Sequence, residues 1–380
     1  MTERISPLDG IHRAAGASFT DFAGWQMPVR YESDLAEHHA VRRSAGIFDL
    51  SHMGEIVVVG PEAGAALDYA LAGRLSAIEI GQAKYSLLLE PSGGIVDDLV
   101  VYRTGEDRFM VVANAANREA VARELRDRTA PFDTEVFDES EDVALIAVQG
   151  PASLEILLET PGFGVQGPGN DAEDFARTAT ELKYYRAFPA EFDGEPVLVA
   201  RTGYTGDGGF ELYVAPELAP RLWEALVETG GPRLVPAGLA SRDTLRLEAG
   251  MPLYGHELSR ETLPVQAGLG RVVALTKEGD FVGRAAIEAG PAEGARVLVG
   301  LVAEGRRAAR AGYAVFDGAG ADAAEVGVVT SGALSPTLGH PVAMAFVDPA
   351  LAEAGTRLLL DVRGSRIAAD VVRLPFYRRA

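Results

Sequence analysis

The sequence predicts an α+β fold that ends in an all-β C-terminal domain. Apolar runs of strand length alternate with helical segments through most of the chain, and neighbouring runs are joined by short turns, as in antiparallel sheets. After Gly290-Pro-Ala-Glu-Gly294 the sequence changes to short strands of Val, Leu and Ala broken by glycine. The 380 residues have room for two or three domains, so we expect a domain boundary near residue 290.

Capping residues and periodicity predict the first elements. Ser33 is a suitable N-cap for a helix over 34–45, and Gly46 is well placed to end that helix. The run Glu55-Ile-Val-Val-Val59, with four consecutive β-branched residues, predicts a strand. The small apolar residues of 63–71 that follow predict a second helix.

The middle of the chain predicts a three-stranded antiparallel meander. Its strands cover 85–89, 95–102 and 110–113, and turn residues rich in Gly, Ser and Asp separate them. A helix over 117–128 and a short buried strand over 143–148 follow.

A second block has the same mixture of elements. Strands over 197–201 and 210–214 form a hairpin around the glycine-rich stretch 202–209, and a helix lies near 218–229. A further helical segment covers 238–250. Both blocks therefore predict sheets covered by helices.

Composition excludes several classes of function. The chain has 35 Lys and Arg against 55 Asp and Glu, and this net charge of −20 disfavours nucleic acid and anionic membranes as partners. It contains no cysteine, which removes disulfides, thiolate metal sites and Cys nucleophiles. No apolar stretch approaches the length of a membrane span, and the first residues lack the apolar core of a signal peptide. We therefore expect a cytoplasmic location.

Familiar catalytic motifs are weak or missing. The segment Gly162-Phe-Gly-Val-Gln-Gly167 matches G-x-G-x-x-G, but it follows a helix-like run and precedes Pro168, so we interpret it as a surface loop. Neither a phosphate-binding P-loop nor a G-x-S-x-G motif occurs. The histidines are scattered, and we expect no metal site.

Two carboxylates interrupt the predicted strand over 95–102. Side chains alternate along a strand, so Asp97 and Asp98 should face opposite sides, and at least one should enter apolar surroundings. A carboxylate buried without partners costs several kcal/mol, so it is normally hydrogen-bonded or used in function. Acids that cap a hairpin near its turn are the alternative interpretation.

Two further clusters carry polar side chains suited to binding. In the hairpin, Tyr204 offers a ring face and Glu211 a bidentate acceptor, and the glycines would let backbone approach a ligand. An ordinary glycine-rich hairpin is the alternative. On the later helix, Arg242, Arg246 and Gly250 lie one turn apart, and arginine forks bind planar carboxylates well. Ion pairing within the protein is the alternative there.

Seven segments of the chain form a set that is best considered together and in order. They are Asp21-Phe-Ala-Gly-Trp25-Gln-Met-Pro28, Glu37-His-His-Ala-Val-Arg42, Phe48-Asp-Leu-Ser-His-Met-Gly54, Gly93-Gly-Ile-Val-Asp-Asp-Leu99, Arg201-Thr-Gly-Tyr-Thr-Gly206, Gly238-Leu-Ala-Ser-Arg-Asp-Thr-Leu-Arg-Leu-Glu-Ala-Gly-Met251 and Thr330-Ser-Gly-Ala-Leu-Ser-Pro-Thr-Leu-Gly339. Together they strongly resemble the aminomethyltransferase (T-protein) family of the glycine cleavage system, and the resemblance covers essentially the whole chain.

The resemblance implies a three-domain cloverleaf around a central cavity. Residues 1–52 together with 140–289 would form a discontinuous α+β folate-binding domain. Residues 53–139 would form a second α+β domain inserted in it, which carries the Asp98 strand. Residues 290–380 would form a C-terminal β-barrel or jelly-roll-like domain.

The resemblance also implies the chemistry. Tetrahydrofolate would occupy the cavity as co-substrate, and a lipoylated H-protein would bring an aminomethyl group to it within the glycine cleavage complex. N5 of the folate would take up the methylene carbon, with release of ammonia and formation of 5,10-methylenetetrahydrofolate. We expect the chain to act as a monomer that meets H-protein transiently.

Site residues carry over position by position. Asp98 matches the essential aspartate of the family, and a fixed carboxylate there could stabilise developing cationic charge or orient N5. Ala240 departs from the family, which more often has glycine there, but Arg242 stays in register. No ligand role is assigned to Arg378. The implied folate contacts are Met53, Tyr85, Asn114, Tyr184, Tyr204, Glu211 and Arg242.

Other functions occur on the same scaffold. Folate-dependent demethylases share it, as do the C-terminal halves of dimethylglycine- and sarcosine-oxidising enzymes, but those oxidising enzymes carry a flavin domain and demethylases use different residues on the acceptor side. A non-catalytic folate-binding paralogue of iron–sulfur assembly carries a cysteine signature, and this chain has no cysteine. The sequence therefore favours the aminomethyltransferase.

Overall fold

The structure is a computed structural model that describes residues 4–166, 172–320 and 323–379. The chain divides into two compact units. The first is built from Met1–Ala70, Arg74–Tyr85 and Leu99–Arg242, and the second from Leu71–Gly73, Ser86–Asp98 and Asp243–Ala380.

Strands make up much of the described chain. They are β1 Arg4–Ile5, β2 Ser18–Phe22, β3 Trp25–Arg30, β4 Ala45–Asp49, β5 Gly54–Val59, β6 Ala83–Leu89, β7 Ile95–Arg103, β8 Arg108–Ala113, β9 Glu135–Asp138, β10 Ala144–Gln149, β11 Phe163–Val165, β12 Ala187–Phe192, β13 Glu195–Ala200, β14 Gly209–Val214, β15 Leu234–Pro236, β16 Val297–Ala303, β17 Ala314–Phe316, β18 Glu325–Leu334, β19 Pro341–Val347, β20 Arg357–Val362 and β21 Ser365–Val372.

The helices are mostly short and lie between strands. They are α1 Asp9–Ala14, α2 Asp34–Arg43, α3 Ala63–Ala70, α4 Arg118–Thr129, α5 Ser153–Glu159, α6 Ala172–Glu181, α7 Ala219–Gly230, α8 Leu239–Glu248 and α9 Arg284–Ala289. Short 3-10 helices cover Ala115–Asn117, Gly231–Arg233, Gly270–Val272 and Pro349–Leu351.

The start of α2 is as predicted, but its end is not. The Ser33 side chain accepts a hydrogen bond from the amide of Ala36, as an N-cap does. The helix ends at Arg43, and Gly46 lies inside β4. A Cβ on Gly46 would stand 2.5 Å from Cγ2 of Val41. Glycine is therefore needed because β4 packs closely on α2, and not as a helix cap.

The first unit contains a mixed sheet with the strand order β11-β12-β13-β14-β10-β4-β15. Strands β13, β14 and β10 are antiparallel neighbours, with Ala200 opposite Glu211 and Glu211 opposite Ala147. Helices α5, α6 and α7 contribute to a buried apolar core on this sheet, in which Phe210, Leu212 and Trp223 take part. The predicted hairpin is confirmed, and this sheet gives its two strands a fixed register.

The predicted meander is also present. Strands β6, β7 and β8 are consecutive neighbours in a sheet of order β6-β7-β8-β5-β9. Strand β5 runs antiparallel to β8, with Gly54 opposite Ala113. The residues just beyond that pair, Met53 and Asn114, therefore leave the sheet at the same end.

The predicted surface loop over 162–167 is partly wrong. Phe163–Val165 forms the edge strand β11, which pairs with β12, and the Phe163 ring stacks on Phe175 with centroids 4.7 Å apart. The aromatic contacts explain why this glycine-containing segment is ordered into a strand. Gly167 lies outside the described residues.

The C-terminal part of the second unit is a closed barrel with the strand order β16-β19-β18-β17-β20-β21. Small and branched side chains such as Val315, Ala345 and Leu360 fill its interior. The α+β fold with a C-terminal all-β barrel is thus confirmed. The three-domain division and its cloverleaf arrangement stay predictions.

Candidate functional site

Glu211 lies on β14, on the face opposite to the apolar core. Its strand neighbours Phe210 and Leu212 are buried in that core, whereas Glu211 itself is only partly buried. Thr202 lies two residues after β13, and its hydroxyl donates a hydrogen bond to Oε2 of Glu211. Strand alternation and the β13–β14 pairing together place this carboxylate beside a fixed donor.

Two buried tyrosines continue this hydrogen bonding. The Tyr102 hydroxyl lies 2.8 Å from Oγ1 of Thr202, and the Tyr213 hydroxyl donates to the Tyr102 oxygen over 3.3 Å. The two rings meet edge to face, with centroids 5.7 Å apart. Burial is the main cause that raises the pKa of each phenol well above its usual value, so both hydroxyls keep their protons.

Burial and nearby polar groups act in opposite directions on the charge state of Glu211. Burial raises the pKa of this carboxyl above its ordinary value. The hydrogen bond from Thr202, the positive charge of Arg242 and the hydroxyl of Tyr102 act in the opposite direction, and burial outweighs them. A ligand that donates hydrogen bonds to Glu211 would favour its anionic form.

Arg242 places a cation near this carboxylate. It lies on α8, and its guanidinium carbon stands 4.9 Å from the centre of the Tyr204 ring. Burial lowers the pKa of Arg242, while Glu211 and Tyr204 act against that lowering. Among hydrogen-bonding groups of the described residues, its buried Nη1 has no partner. The arginine therefore has donor capacity for a ligand.

The glycine-rich loop 202–209 is held from behind by Gln149 at the end of β10. The Gln149 amide donates to the carbonyls of Thr202 and Phe210, and its oxygen accepts from the Thr205 hydroxyl. A Cβ on Gly203 or Gly209 would stand 2.0 or 2.5 Å from Gln149 side-chain atoms. Two of the loop's glycines thus make room for a protein side chain rather than for a ligand.

A buried ion pair fixes the tip of the same loop. Arg42 on α2 donates to the Thr205 carbonyl over 2.7 Å and forms a hydrogen-bonded pair with Asp207. Both side chains are almost completely buried. Moving the loop would separate the two buried charges and leave each without its partner. The pair therefore holds the loop in one position.

His52 lies in the same unit and is held neutral. Its ring packs edge to face on Phe22, with centroids 5.2 Å apart. Burial lowers the pKa of His52 to about 4, with Arg242 adding to the lowering and Asp49 opposing it. At neutral pH this imidazole is therefore uncharged.

The remaining predicted folate contacts lie in loops and on a strand of the first unit. Met53 precedes β5 and Asn114 follows β8, and both are partly exposed. Tyr184 is 55% exposed and meets Tyr185 edge to face at 4.9 Å. Tyr85 lies on β6 and is partly exposed. The structure brings Tyr204, Glu211 and Arg242 together, and the ligand roles of all these residues stay predictions.

The two carboxylates of β7 differ as strand alternation predicts. Asp97 is fully buried, whereas Asp98 is partly exposed. Position 100 is also partly exposed and Leu99 and Val101 are buried, so the alternation continues along the strand. Asp98 and Tyr102 therefore lie on the same face of β7.

Arg246 serves a structural purpose in the second unit. Its guanidinium pairs with Asp243 at 2.7 Å and with the buried Glu257 at 3.0 Å, and it donates to the Ser331 hydroxyl. For Arg246, the structure therefore supports the alternative interpretation, ion pairing within the protein. Gly250 has a φ of +65° just after α8, which suits a glycine at a helix end.

Sequence reasoning missed several residues around Glu211. Tyr102 could have been found, because it is the next polar side chain on the face of Asp98. Gln149 gave a weaker signal as an amide at the end of an otherwise apolar strand. The parts played by Arg42 and Tyr213 depend on partners far away in the sequence, so no local pattern could reveal them.

Residues 4–166, 172–320 and 323–379 lack two features, a metal-binding cluster and a membrane-spanning helix. That part of the chain contains no group of three or more His, Cys, Asp or Glu side chains that could hold a metal ion. None of its helices is long and apolar enough to cross a membrane.

Comparison with known proteins places the chain in a family. Residues 8–277 match the GCVT N-terminal domain, and residues 296–378 match the glycine cleavage T-protein C-terminal barrel domain. An aminomethyltransferase of Cutibacterium acnes is 59% identical over 379 residues, covering 100% of both chains. One from Saccharopolyspora erythraea is 54% identical and covers 99% of this chain and 98% of its own.

A solved structure agrees with these relatives. The crystal structure of glycine cleavage system aminomethyltransferase T from Bartonella henselae matches with a TM-score of 0.86 and 37% identity, covering 99% of this chain and 98% of that one. The family matches span both the sheet region and the barrel. The chain therefore belongs to the aminomethyltransferase family, the T-proteins of the glycine cleavage system.

Proposed function

We propose that the chain transfers the methylene carbon of an aminomethyl group from the lipoyl arm of H-protein to tetrahydrofolate. The carbon's bonds to the lipoyl sulfur and to nitrogen break, and new bonds to N5 and N10 of the folate form. The sulfur leaves as a thiol and the nitrogen as ammonia. The carbon keeps its oxidation state, so the step needs no oxidant or reductant.

The observation that carries the proposal is the grouping of Glu211, Arg242 and Tyr204 in a chain of this family. The amino-pyrimidine edge of a pterin presents N–H donors, and the Glu211 carboxylate can accept two of them. Tyr204 offers a wall for the flat ring, and Arg242 leaves a buried N–H without a partner in the described chain. These groups fit a planar, partly apolar ligand that forms hydrogen bonds to the protein along one edge.

Asp98 is proposed as the residue that acts on the reacting centre. It is partly exposed and shares a strand face with Tyr102, whose hydroxyl is linked to Glu211 through the Thr202 hydroxyl. Cationic amine and iminium-like species form during the transfer, and a fixed carboxylate stabilises such charge. It also can orient N5 and move a proton.

The partner is proposed to be lipoylated H-protein, which the chain meets as a monomer. With a net charge of −20, the chain gains nothing from overall charge when it meets another acidic protein. Docking would then depend on a local arginine patch and should weaken as salt rises.

One experiment tests the function directly. Ammonia release from aminomethylated H-protein is measured with the purified chain, with and without tetrahydrofolate. We expect folate to accelerate release and 5,10-methylenetetrahydrofolate to accumulate in equal amount. Folate-independent release, or demethylation of a methylated amine in place of this reaction, would contradict the proposal.

A further inference from the structure

The hydroxyls of Tyr213, Tyr102 and Thr202 form a series that ends at Glu211. The three residues are at most 5% exposed. The Thr202 hydroxyl donates a hydrogen bond to the Glu211 carboxylate. Its oxygen can therefore accept a hydrogen bond from the Tyr102 hydroxyl. The Tyr102 oxygen in turn accepts from Tyr213. All three O–H bonds therefore point along the series towards Glu211.

The direction of the series has an electrostatic consequence. A hydrogen-bond chain whose protons all point towards one end stabilises negative charge at that end. Reversing it would require Glu211 to be protonated and to donate to Thr202. The series therefore favours the carboxylate over the carboxylic acid, against the opposing effect of burial.

We propose that Tyr102 and Tyr213 are positioning residues for folate recognition, because their hydroxyls hold Glu211 as an oriented anion that accepts the amino-pyrimidine edge. Neither tyrosine needs to touch the ligand. This inference rests on the proposed role of Glu211 in folate binding, and it extends that role to side chains outside the predicted site.

Orientation matters as much as charge at this position. The Thr202 hydroxyl fixes Oε2, and Thr202 is itself fixed because its carbonyl accepts from the buried Gln149. Tyr102 is fixed by its edge-to-face contact with Tyr213. The carboxylate is therefore held from the protein side, which leaves the ligand little ordering to impose when it binds.

The decisive variant is Tyr102→Phe, which removes one hydroxyl and keeps the ring. The pKa of Glu211 is measured in the folate-free chain by carbon-13 NMR of labelled glutamate, with Glu211→Gln used to assign the signal. We expect Tyr102→Phe to raise the pKa by about one unit, the equivalent of a tenfold change in protonation. Tyr213→Phe should raise it less, because it is one step further away.

Folate affinity is measured as a function of pH on the same variants. An anionic Glu211 is needed, so affinity is full above its pKa and is lost as pH falls through it. For Tyr102→Phe we expect this acid limb to move about one unit to higher pH, so that affinity falls about tenfold at pH values below the wild-type pKa and is unchanged well above it. A purely structural role for Tyr102 would weaken binding equally at every pH.

Tyr313→Phe is the matched control. Tyr313 packs against the barrel core, and the hydrogen bonds of the described residues include none to its hydroxyl. It should leave both the titration and the affinity unchanged. Circular dichroism and thermal melting establish that each variant is folded.

The outcomes separate the two proposals. If Glu211→Gln binds folate weakly but Tyr102→Phe equals wild type in both measurements, the positioning role is wrong and the folate site stands. If Glu211→Gln binds folate as wild type does, the proposed site at Glu211 is wrong and this inference is overturned with it. A raised pKa together with a shifted acid limb supports the inference.

Discussion

Two glutamates, Glu211 and Glu248, show how similar residues can serve different purposes. Glu248 ends α8 in the second unit and is fully buried, and it accepts hydrogen bonds from the Ser335 hydroxyl and from both the amide and the hydroxyl of Thr337. Its donors serve both oxygens, so it fastens the segment after β18 to the helix. Glu211 in the first unit accepts a hydrogen bond from the Thr202 hydroxyl at Oε2 and is partly exposed.

The hydrogen-bond partners and charges around a carboxylate, and not its burial alone, distinguish a binding residue from a structural one. Glu248 has donors from the protein on both oxygens, so it has little left to offer a ligand. Glu211 has a raised pKa, a nearby arginine with an unused buried N–H, and a tyrosine ring within the same group. Such incomplete pairing of buried polar groups is characteristic of functional sites.

The largest effect is expected at Asp98, which extends the comparison to a third carboxylate. Asp98→Asn should lower kcat about a hundredfold or more and leave folding intact, since it removes an electrostatic stabiliser from a partly exposed position. Asp97→Asn should change kcat less and lower stability more, because Asp97 is fully buried. Steady-state kinetics and thermal melting of both variants test this, and equal losses of kcat would contradict it.

The next largest effect is expected at Glu248. Glu248→Ala leaves the buried Ser335 hydroxyl and the two Thr337 donors without an acceptor, so we expect the free energy of unfolding to fall by about 3 kcal/mol. The dissociation constant of tetrahydrofolate should stay unchanged in the folded variant. Urea denaturation and calorimetric titration measure the two quantities, and a loss of folate affinity with stability preserved would reverse the comparison.

Glu211→Ala should show the opposite pattern. We expect it to weaken folate binding by about 1 to 3 kcal/mol, because the donors of the pterin edge lose their acceptor. Glu211→Gln should cost less, since the amide keeps one acceptor oxygen. Calorimetric titration against wild type decides the matter: unchanged affinity in the alanine variant would place the pterin elsewhere.

The neutral His52, which lies in the same unit as Glu211, makes the stability of the folded chain depend on pH. Its pKa is about 4 in the folded chain and about 6.5 when unfolded, so the unfolded state takes up the proton first as pH falls. Its contribution to stability is complete above pH 6.5 and should decrease by about 2 kcal/mol on acidification to pH 5. Melting curves of wild type and His52→Gln at the two pH values isolate it: parallel losses in both proteins would exclude His52.

The smallest effect is expected on stability, when glutamine replaces each of the two glutamates in turn. Because the pKa of Glu211 is raised by folding, its contribution to stability decreases as pH rises through the folded pKa. At pH 8, Glu211→Gln should therefore melt at or slightly above the wild-type temperature. We expect its free energy of unfolding to rise by less than about 1 kcal/mol. Glu248→Gln should melt lower, since its amide nitrogen would face donors. Shifts of the same sign in both variants would show that the two carboxylates are equivalent.

Local sequence determined most of the fold. Strand alternation predicted that Asp97 and Asp98 face opposite sides, and capping chemistry predicted the start of α2 at Ser33. Both depend on residues close together in the chain, where periodicity and hydrogen-bonding rules apply directly. The collinear segments likewise identified the family, since they cover the chain in order.

Tertiary structure decided what each conspicuous residue does. Gly46 looked like a helix stop, but Gly46 gives β4 room against Val41. Arg246 and Arg242 lie one turn apart on the same helix, yet the first is fully paired with Asp243 and Glu257 while the second has a buried N–H without a partner in the described chain.

The same limit applies around Glu211. The glycines at 203 and 209 make room for Gln149, and the tyrosines at 102 and 213 meet through hydroxyls more than a hundred residues apart in sequence. Local patterns predicted most of the elements and the family, but not the edge strand β11. Only the packing of distant strands decided which polar groups find partners, because hydrogen-bond satisfaction depends on neighbours in space that no local pattern specifies.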